Sequence, residues 1–316
     1  MPTAMAAIDS ISKGRVLVIF PGALGDLLCL VPAVRAIARR NPGATLELMA
    51  RGELARFAVG RLGFARGHSI DRREVGHLFA ASERVPEEAR AFFGAFDCVY
   101  SFFAADDPNF RRSLEDASAG RVSFHPFRPP GDGHVARCYL RALGDNDATP
   151  LENCIELMPG DLESAEFRLR QLNLMPHGFV LILPGSGSPT KNWSAANFAA
   201  LAERAAAPSL VLLGPAEAGL KSFFEARGLA VVSDLELGDA AGVAHLSRCF
   251  LGNDSGVSHL ASASGARGLV LFGPTDPGRW RPLGDVKVIR RDRLDTLPVA
   301  EVAAALEQLL GGRCTP

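Results

Sequence analysis

Short apolar runs alternate with amphipathic segments along most of the chain. Val16–Phe20 is continuously apolar and ends at Pro21-Gly22, which is typical of a strand buried in a parallel sheet. Leu27–Arg40 follows with apolar residues at helical spacing and arginines late in the segment, and Asn41-Pro42-Gly43 ends the predicted helix. This alternation predicts an α/β fold with mainly parallel sheets.

The second half of the chain repeats the alternation. Apolar runs predict strands at Phe179–Leu183, Ser209–Leu213, Ala230–Val232, Cys249–Leu251 and Leu269–Phe272. Helical patterns lie between them, at Ala195–Ala206, Glu217–Arg227, Gly238–Leu246 and Val257–Ser264, and a last helix is expected at Val299–Leu310. This is the pattern of a doubly wound domain. By contrast, Asp106 to Pro130 has only weak periodicity.

The chain length indicates two domains, because 316 residues exceed the usual size of one compact core. Gly144–Pro150 and Met158-Pro159-Gly160 interrupt the pattern near the middle. We therefore expect an N-terminal Rossmann-like domain over residues 1–155 and a C-terminal one over residues 156–316. Packing of the last helix back toward the first domain stays open.

Composition excludes several classes of protein. The net charge is −1, so no general positive field is available to hold nucleic acid. The six cysteines form no CxxC pair and no metal-ligand spacing, and Cys29 and Cys249 fall in apolar runs that predict burial, as in a reducing cytosol. Residues 1–14 lack a signal-peptide core, and no apolar run is long enough to span a membrane. We expect a cytoplasmic protein.

One region carries a local excess of positive charge. Six arginines lie between Arg51 and Arg73, against only Glu53 and Asp71. A solvated mixed surface is one interpretation, and a contact with an anionic acceptor or an anionic membrane surface is the other. On the second interpretation Arg72 and Arg73 contact the anionic acceptor or the membrane surface.

Three glycine-bearing turns follow predicted strands, which is where ligands bind in open α/β sheets. The first runs from Pro21 to Asp26, and Gly25 helps the backbone to turn there. A lone aspartate at a helix start, such as Asp26, is commonly only an N-cap. The G-x-G-x-x-G fingerprint is absent, so NAD binding is disfavoured even though Glu47 lies near the position of a ribose-binding acid.

The second turn, from Pro184 to Ser194, combines small residues with hydroxyls and a cation. Ser186 and Thr190 offer hydroxyl groups, and Lys191 offers a positive charge that could bind phosphate together with backbone N–H groups. The spacing is not that of a P-loop. A phosphate site and a flexible surface loop are the two interpretations.

The third turn, Gly252 to His259, reads G-N-D-S-G-V-S-H. We expect Asp254 and Ser255 to cap a helix whose first-turn N–H groups, beginning at Gly256, form an anion site. His259 lies one turn further on, on the same side as Ser255. The alternative is a capped helix with a packed histidine.

Taken together, the turns resemble those of glycosyltransferase family 9, the ADP-heptose:lipopolysaccharide heptosyltransferases. The likeness rests on G-A-L-G-D (22–26), P-G-S with K-x-W (184–186 and 191–193), D-S-G-x-x-H (254–259) and F-G-P-T-D-P (272–277). These motifs are in the order and spacing of the family. The likeness runs from about Arg15 to Leu283 and is weakest over Arg51–Pro130, where acceptor specificity would be set.

The resemblance implies a GT-B type α/β fold, with two Rossmann-like doubly wound domains facing across a cleft. The acceptor would bind the N-terminal domain and the nucleotide-sugar the C-terminal one. The implied reaction is an inverting, metal-independent transfer of a sugar, namely a heptose from ADP-heptose. The implied acceptor is the lipopolysaccharide core or another glycan, or a lipid-linked acceptor. No cofactor is expected.

The resemblance also assigns roles to residues. Asp26 matches the general base that takes the proton of the acceptor hydroxyl. Lys191 and the helix after Asp254 would neutralise the leaving diphosphate, and Glu217 matches, in a loose motif, an acid that holds the ribose hydroxyls. The donor-binding set is Gly25, Ser186, Thr190, Lys191, Glu217, Asp254, Ser255, Gly256 and His259.

Two alternatives stay open. A transferase or an epimerase with another nucleotide-sugar would keep the same scaffold. A non-catalytic nucleotide-sugar-binding protein would need the phosphate-binding turns but would have no use for Asp26.

Overall fold

The computed structural model describes residues 14–80, 84–118 and 120–311. The chain divides into two compact units, Met1–Leu151 and Glu152–Pro316. Each unit contains one parallel β-sheet, of five strands in the first unit and six in the second.

The first unit has the strand order β3-β2-β1-β4-β5. Its elements in chain order are β1 (Gly14–Ile19), α1 (Leu24–Arg40), β2 (Ala44–Ala50), α2 (Gly52–Arg61), β3 (Arg66–Ser69), α3 (Arg73–His77), α4 (Glu87–Phe93), β4 (Cys98–Ser101), α5 (Pro108–Ala117), β5 (Val122–Phe124) and α6 (Val135–Ala142). The order reverses between β1 and β4, so the turn after β1 opens at the switch point, where ligands bind in such sheets.

Strand β1 is covered on both faces, which explains its unbroken apolar run. On one face Leu17 belongs to a core cluster with Phe93 and Phe110 from two helices. On the other face the ring of Phe20, just after the strand, packs edge-on against Tyr139 with ring centroids 6.1 Å apart. The prediction of a buried parallel strand is confirmed.

The second unit has the strand order β11-β10-β9-β6-β7-β8. Its elements are α7 (Pro159–Gln171), β6 (Val180–Leu183), α8 (Ala195–Ala202), β7 (Ser209–Leu213), α9 (Lys221–Glu225), β8 (Ala230–Ser233), α10 (Leu237–His245), β9 (Cys249–Asn253), α11 (Gly256–Ala263), β10 (Gly268–Phe272), α12 (Pro277–Trp280), β11 (Val286–Arg290) and α13 (Val299–Gly311), with 3₁₀ turns at Pro189–Lys191, Pro215–Leu220 and Leu294–Thr296. The chain winds outward from β6 to β8, then returns beside β6 as β9 and winds the other way. This is the Rossmann order, with its switch point between β6 and β9.

The structure corrects several sequence-based boundaries. Helix α1 begins at Leu24 instead of Leu27, and the helix expected over Glu217–Arg227 is a 3₁₀ turn followed by the short α9. The weakly periodic stretch contains α5, which starts with Asp107 accepting a hydrogen bond from the Phe110 amide at 2.9 Å. An N-cap aspartate followed by proline is a helix-start signal that the low apolar content obscured.

The predicted burial of two cysteines is confirmed. Cys29 and Cys249 are both buried, as their apolar surroundings indicated. Cys314 lies outside the described residues.

Glu47 lies in the middle of β2 and not at its carboxyl end, where a ribose-binding acid would have to be. Its carboxylate is 1% exposed and bonds Arg15 Nε at 2.8 Å and His68 Nε2 at 2.6 Å. Burial alone would raise the pKa of Glu47, but the hydrogen bonds from Arg15 and His68 outweigh it and hold the pKa below its ordinary value. Both carboxylate oxygens have protein partners, so Glu47 serves the fold.

His125 is a second buried titratable group in the first unit. Its Nδ1 lies 3.1 Å from the Ala142 carbonyl and its Nε2 lies 2.8 Å from the Ser123 hydroxyl. Because a carbonyl only accepts, Nδ1 carries the proton and Nε2 accepts from Ser123, which describes a neutral ring. Burial lowers the pKa of His125 to about 4.

We predict that His125 makes the stability of the protein fall as the pH falls from about 6.5 to about 4. In that window the unfolded histidine binds a proton that the folded one does not, so its contribution is complete above the unfolded pKa and is lost below it. The slope from this one site is at most about 1.4 kcal/mol per pH unit. Urea unfolding of the parent and of His125→Gln at several pH values should show a flatter profile for the variant, and parallel profiles would contradict the prediction.

Candidate functional site

The loop after β6, residues 184–194, is fixed at both ends by a side chain of the neighbouring strand. Asn253, the last residue of β9, is fully buried. Its Nδ2 donates to the Pro184 carbonyl at 2.7 Å, and its Oδ1 accepts from the Trp193 amide at 3.0 Å. We call residues 184–194 the switch-point loop.

Trp193 anchors the far end of the switch-point loop in the hydrophobic core. Its side chain is 1% exposed, its ring packs edge-on against Phe198 at 5.0 Å, and its Nε1 donates to the Leu297 carbonyl at 3.0 Å. Since Lys191 precedes Trp193 by two residues, the K-x-W motif couples a core anchor to a charged side chain at the sheet edge.

Lys191 forms an ion pair inside the second unit. Its Nζ lies 2.8 Å from Oδ2 of Asp254, whose side chain is 7% exposed against 32% for Lys191. Lys191, the one cation of the switch-point loop, therefore has an acidic partner within its own unit. The two residues are distant in sequence and meet because β6 and β9 are neighbours in the sheet.

The third turn begins helix α11 differently from the expectation. Ser255 alone is the N-cap, with its Oγ accepting from the Ser258 amide at 3.3 Å, while the Asp254 carboxylate turns to Lys191. The prediction that Asp254 caps this helix is wrong. Gly256 occupies the first helical position, so its N–H belongs to the set that has no acceptor within a helix. His259 is buried inside the same helix, 4% exposed.

Glu217 reaches the switch-point loop from the turn after β7. A methyl group on Gly185 would overlap the carboxylate of Glu217, so this carboxylate lies directly over the Gly185 backbone. A side chain at position 185 would require this carboxylate to shift. Carboxylate, lysine and helix N-terminus are thus gathered at the carboxyl edge of one sheet.

The hydroxyl groups of Ser186, Ser188 and Thr190 bond within the loop itself. Ser186 Oγ donates to the Ser188 carbonyl at 2.7 Å, and Thr190 Oγ1 lies 3.0 Å from Ser188 Oγ. These bonds shape the loop tip, and Thr190 is exposed there.

In the first unit, Asp26 occupies the third position of α1 and not the N-cap, which is Ala23. Its Oδ2 accepts from the Ala23 amide at 3.3 Å, and the side chain is half-buried. Gly22 is required by close approach, because a methyl group there would overlap the Phe20 ring and the Asp26 side chain. Gly25 lies beside Asp26 in the first helical turn.

Arg72 and Arg73 each pair with an acidic residue that lies outside the stretch from Arg51 to Arg73. Arg72 bonds Glu74 at 2.6 Å and its guanidinium lies 4.0 Å from the centre of the Phe92 ring, while Arg73 pairs with Glu88. The hydrogen bond from Arg72 holds the pKa of Glu74 below its ordinary value.

Residues 152–308 match the sequence model of glycosyltransferase family 9, described as heptosyltransferase. Residues 152–308 are a glycosyltransferase family 9 domain. A search with the sequence finds no significant match among curated proteins.

Solved structures resemble the chain of this glycosyltransferase along nearly its whole length. The glycosyl transferase family 9 protein of Veillonella parvula is 18% identical, with a TM-score of 0.79 over 98% of this chain and 99% of that one. The ADP-heptose LPS heptosyltransferase II of Escherichia coli is 18% identical, with a TM-score of 0.69 over 94% and 98%. The Escherichia coli heptosyltransferase WaaC with ADP is 18% identical, with a TM-score of 0.66 over 93% and 99%. The expected GT-B type of α/β fold is confirmed.

Among the residues that the structure describes, no helix is long and apolar enough to cross a membrane. Within the same ranges, no three histidine, cysteine, aspartate or glutamate side chains lie close enough together to hold a metal ion.

Sequence reasoning missed Asn253 as a member of the site. The available signal was its position, since it is a polar residue that closes a buried strand immediately before the D-S-G motif. A buried amide there needs partners, and the loop of the adjacent strand offers them.

Proposed function

We propose that the protein is an inverting heptosyltransferase that transfers a heptose from ADP-heptose to a lipopolysaccharide-core or related glycan acceptor. The observation that carries the proposal is the cluster of Lys191, Asp254 and Glu217 beside the N-terminus of α11, at the switch point of a Rossmann-type sheet. The structural relatives that are named for ADP-heptose or were solved with ADP support the choice of donor.

The diphosphate of the donor would bind between Lys191 and the first turn of α11. An ammonium group has three donors, so Lys191 could keep Asp254 while it binds a phosphate oxygen. The helix N-terminus adds backbone N–H groups and a favourable dipole. These protein groups would supply the charge neutralisation that a metal ion supplies elsewhere, so we propose a metal-independent reaction without a cofactor.

The ribose of the donor would bind Glu217. In the Rossmann order β7 is the second strand, and an acid that follows this strand is well placed to accept from ribose hydroxyls. Its carboxylate already lies over Gly185, at the start of the switch-point loop. A single glutamate would thus fix the nucleoside relative to the phosphates.

In the proposed reaction the Asp26 carboxylate takes the proton of the acceptor hydroxyl. The freed oxygen attacks the anomeric carbon from the face opposite the diphosphate, which inverts the configuration. The bond from the anomeric carbon to the diphosphate oxygen breaks, and its electron pair stays on the diphosphate beside Lys191. Stabilising the charge that develops on the leaving group is commonly the largest protein contribution.

For the acceptor, the structure favours Arg73 over Arg72. The Arg73 side chain is 71% exposed and its pair with Glu88 is a surface pair, which is weak and easily exchanged for an anionic ligand. Arg72 is held by Glu74 and Phe92. We propose that Arg73 contacts an anionic acceptor, at the cytoplasmic face of the inner membrane.

We predict that Lys191→Ala weakens ADP binding by roughly 1.5–3 kcal/mol, because it removes a charge-assisted contact to phosphate. In calorimetry this is a loss of tenfold or more in affinity. Lys221→Ala, at an exposed lysine of the same unit, is the control and should bind ADP like the parent.

Two outcomes would contradict this assignment. Equal ADP affinity in Lys191→Ala and the parent would make Lys191 a structural partner of Asp254 only. A parent that binds UDP or GDP more tightly than ADP would replace the proposed donor while leaving the site in place.

We predict that Asp26→Asn lowers kcat by about 10²–10⁴-fold, since an amide does not take up the acceptor's proton. Donor affinity and stability should change little, because the amide oxygen still accepts from the Ala23 amide. The control is Asp107→Asn, which alters an N-cap aspartate of the same unit and should keep the parental kcat.

Turnover of folded Asp26→Asn at more than about a tenth of the parental rate would remove Asp26 as the base. A parent that binds ADP-heptose and transfers nothing to any lipopolysaccharide-core acceptor would favour the non-catalytic alternative.

A further inference from the structure

We propose that Asn253 is a positioning residue that sets the conformation of the switch-point loop and, through it, the place where Lys191 meets the diphosphate. The proposal rests on the proposed function, because it takes this loop as the donor-binding loop. Asn253 itself would not touch the donor, since its side chain is fully buried.

The bonding of Asn253 suits an amide and no other side chain of this size. Its oxygen accepts from the Trp193 amide at 3.0 Å, and its nitrogen donates to the Pro184 carbonyl at 2.7 Å. A second N–H of the same nitrogen faces Asn192 Oδ1 at 3.5 Å. An ionised aspartate has no donor for Pro184, and leucine offers neither group.

Asn253 supports the loop in addition to the Trp193 core anchor and the ion pair of Lys191 with Asp254. The segment between the two bonded points, residues 185–192, contains two glycines and an exposed tip, and its hydroxyl bonds are internal to the loop. Without Asn253, the buried Pro184 carbonyl and Trp193 amide would lose their partners, a costly state that the loop would relieve by moving. Lys191 lies two residues from the bonded amide, so it would move with the loop.

Asn253 also connects the loop to the helix that faces it. Its own backbone carbonyl accepts from Ser258 Oγ at 2.7 Å, in the first turn of α11. The next residue, Asp254, holds the ammonium of Lys191. The end of β9 therefore holds both proposed phosphate-binding features, the lysine and the helix N-terminus, in place.

The test compares Asn253→Ala and Asn253→Asp with the parent. At pH 8 both variants should bind ADP at least about tenfold more weakly, the loss expected for one misplaced phosphate contact. Asn253→Asp carries a second expectation, because a protonated carboxyl group can donate to Pro184 while its carbonyl accepts from Trp193. Its ADP affinity should therefore recover toward the parental value as the pH falls.

The parental pH profile is the reference for that recovery, because the charged side chains of Asp254 and Lys191 lie beside position 253 and His259 follows in α11. Burial and the adjacent Asp254 carboxylate would raise the pKa of an introduced aspartate. It would then become protonated within the pH range in which ADP binding can be measured. A merely structural role for Asn253 predicts no recovery specific to Asn253→Asp.

Hydrogen exchange provides a readout that needs no ligand. Asn253→Ala should speed exchange of the Trp193 amide and of the switch-point loop, while strands β7 and β10 stay protected. Leu251→Val is the matched control, because it trims a fully buried residue of the same strand and removes no hydrogen bond to the loop. It should lower stability yet leave loop exchange and ADP affinity unchanged.

Three outcomes are informative. Parental ADP affinity in Asn253→Ala, with stability reduced as in Leu251→Val, would overturn the positioning role and leave the proposed donor site intact. A parent that binds none of ADP, UDP and GDP would overturn the proposed function instead. In that case unchanged exchange of the Trp193 amide in Asn253→Ala would overturn the positioning role as well.

Discussion

The pairing of β6 with β9 is the constraint on which the candidate donor site depends. The two strands are separated in sequence by β7 and β8, yet they lie side by side with Leu183 opposite Gly252. Because both run in the same direction, the residues that follow them emerge at the same edge of the sheet. The ion pair of Lys191 with Asp254, and the bonds of Asn253, are consequences of this one adjacency.

The sequence predicted the fold well where apolar runs are buried on both faces. The predicted strands of the second half all exist, whereas β11 was missed because it is an edge strand of alternating exposure. In the first half, β3 was missed because its residues, R-G-H-S, carry no apolar signal at all. Propensity and periodicity indicate which residues are buried. Strands at the edge of a sheet are partly exposed, so their apolar pattern in the sequence is weak.

The candidate site could be predicted as a set of turns but not as a set of contacts. The motifs correctly indicated which turns carry chemistry-bearing residues at the carboxyl ends of strands. Lys191 and Asp254 are 63 residues apart, and no local pattern indicates that they pair. The same holds for Glu217, whose carboxylate lies where a side chain of residue 185 would begin. Such pairings depend on the strand order, which periodicity does not specify.

The most direct test of the account is a crystal structure of the protein with ADP. The account predicts the diphosphate within hydrogen-bond distance of Lys191 Nζ and of the Gly256 amide, with the ribose hydroxyls on Glu217. The Asn253 bonds to Pro184 and Trp193 should be unchanged. ADP bound away from the carboxyl edge of β6 and β9, with Lys191 contacting Asp254 alone, would contradict it.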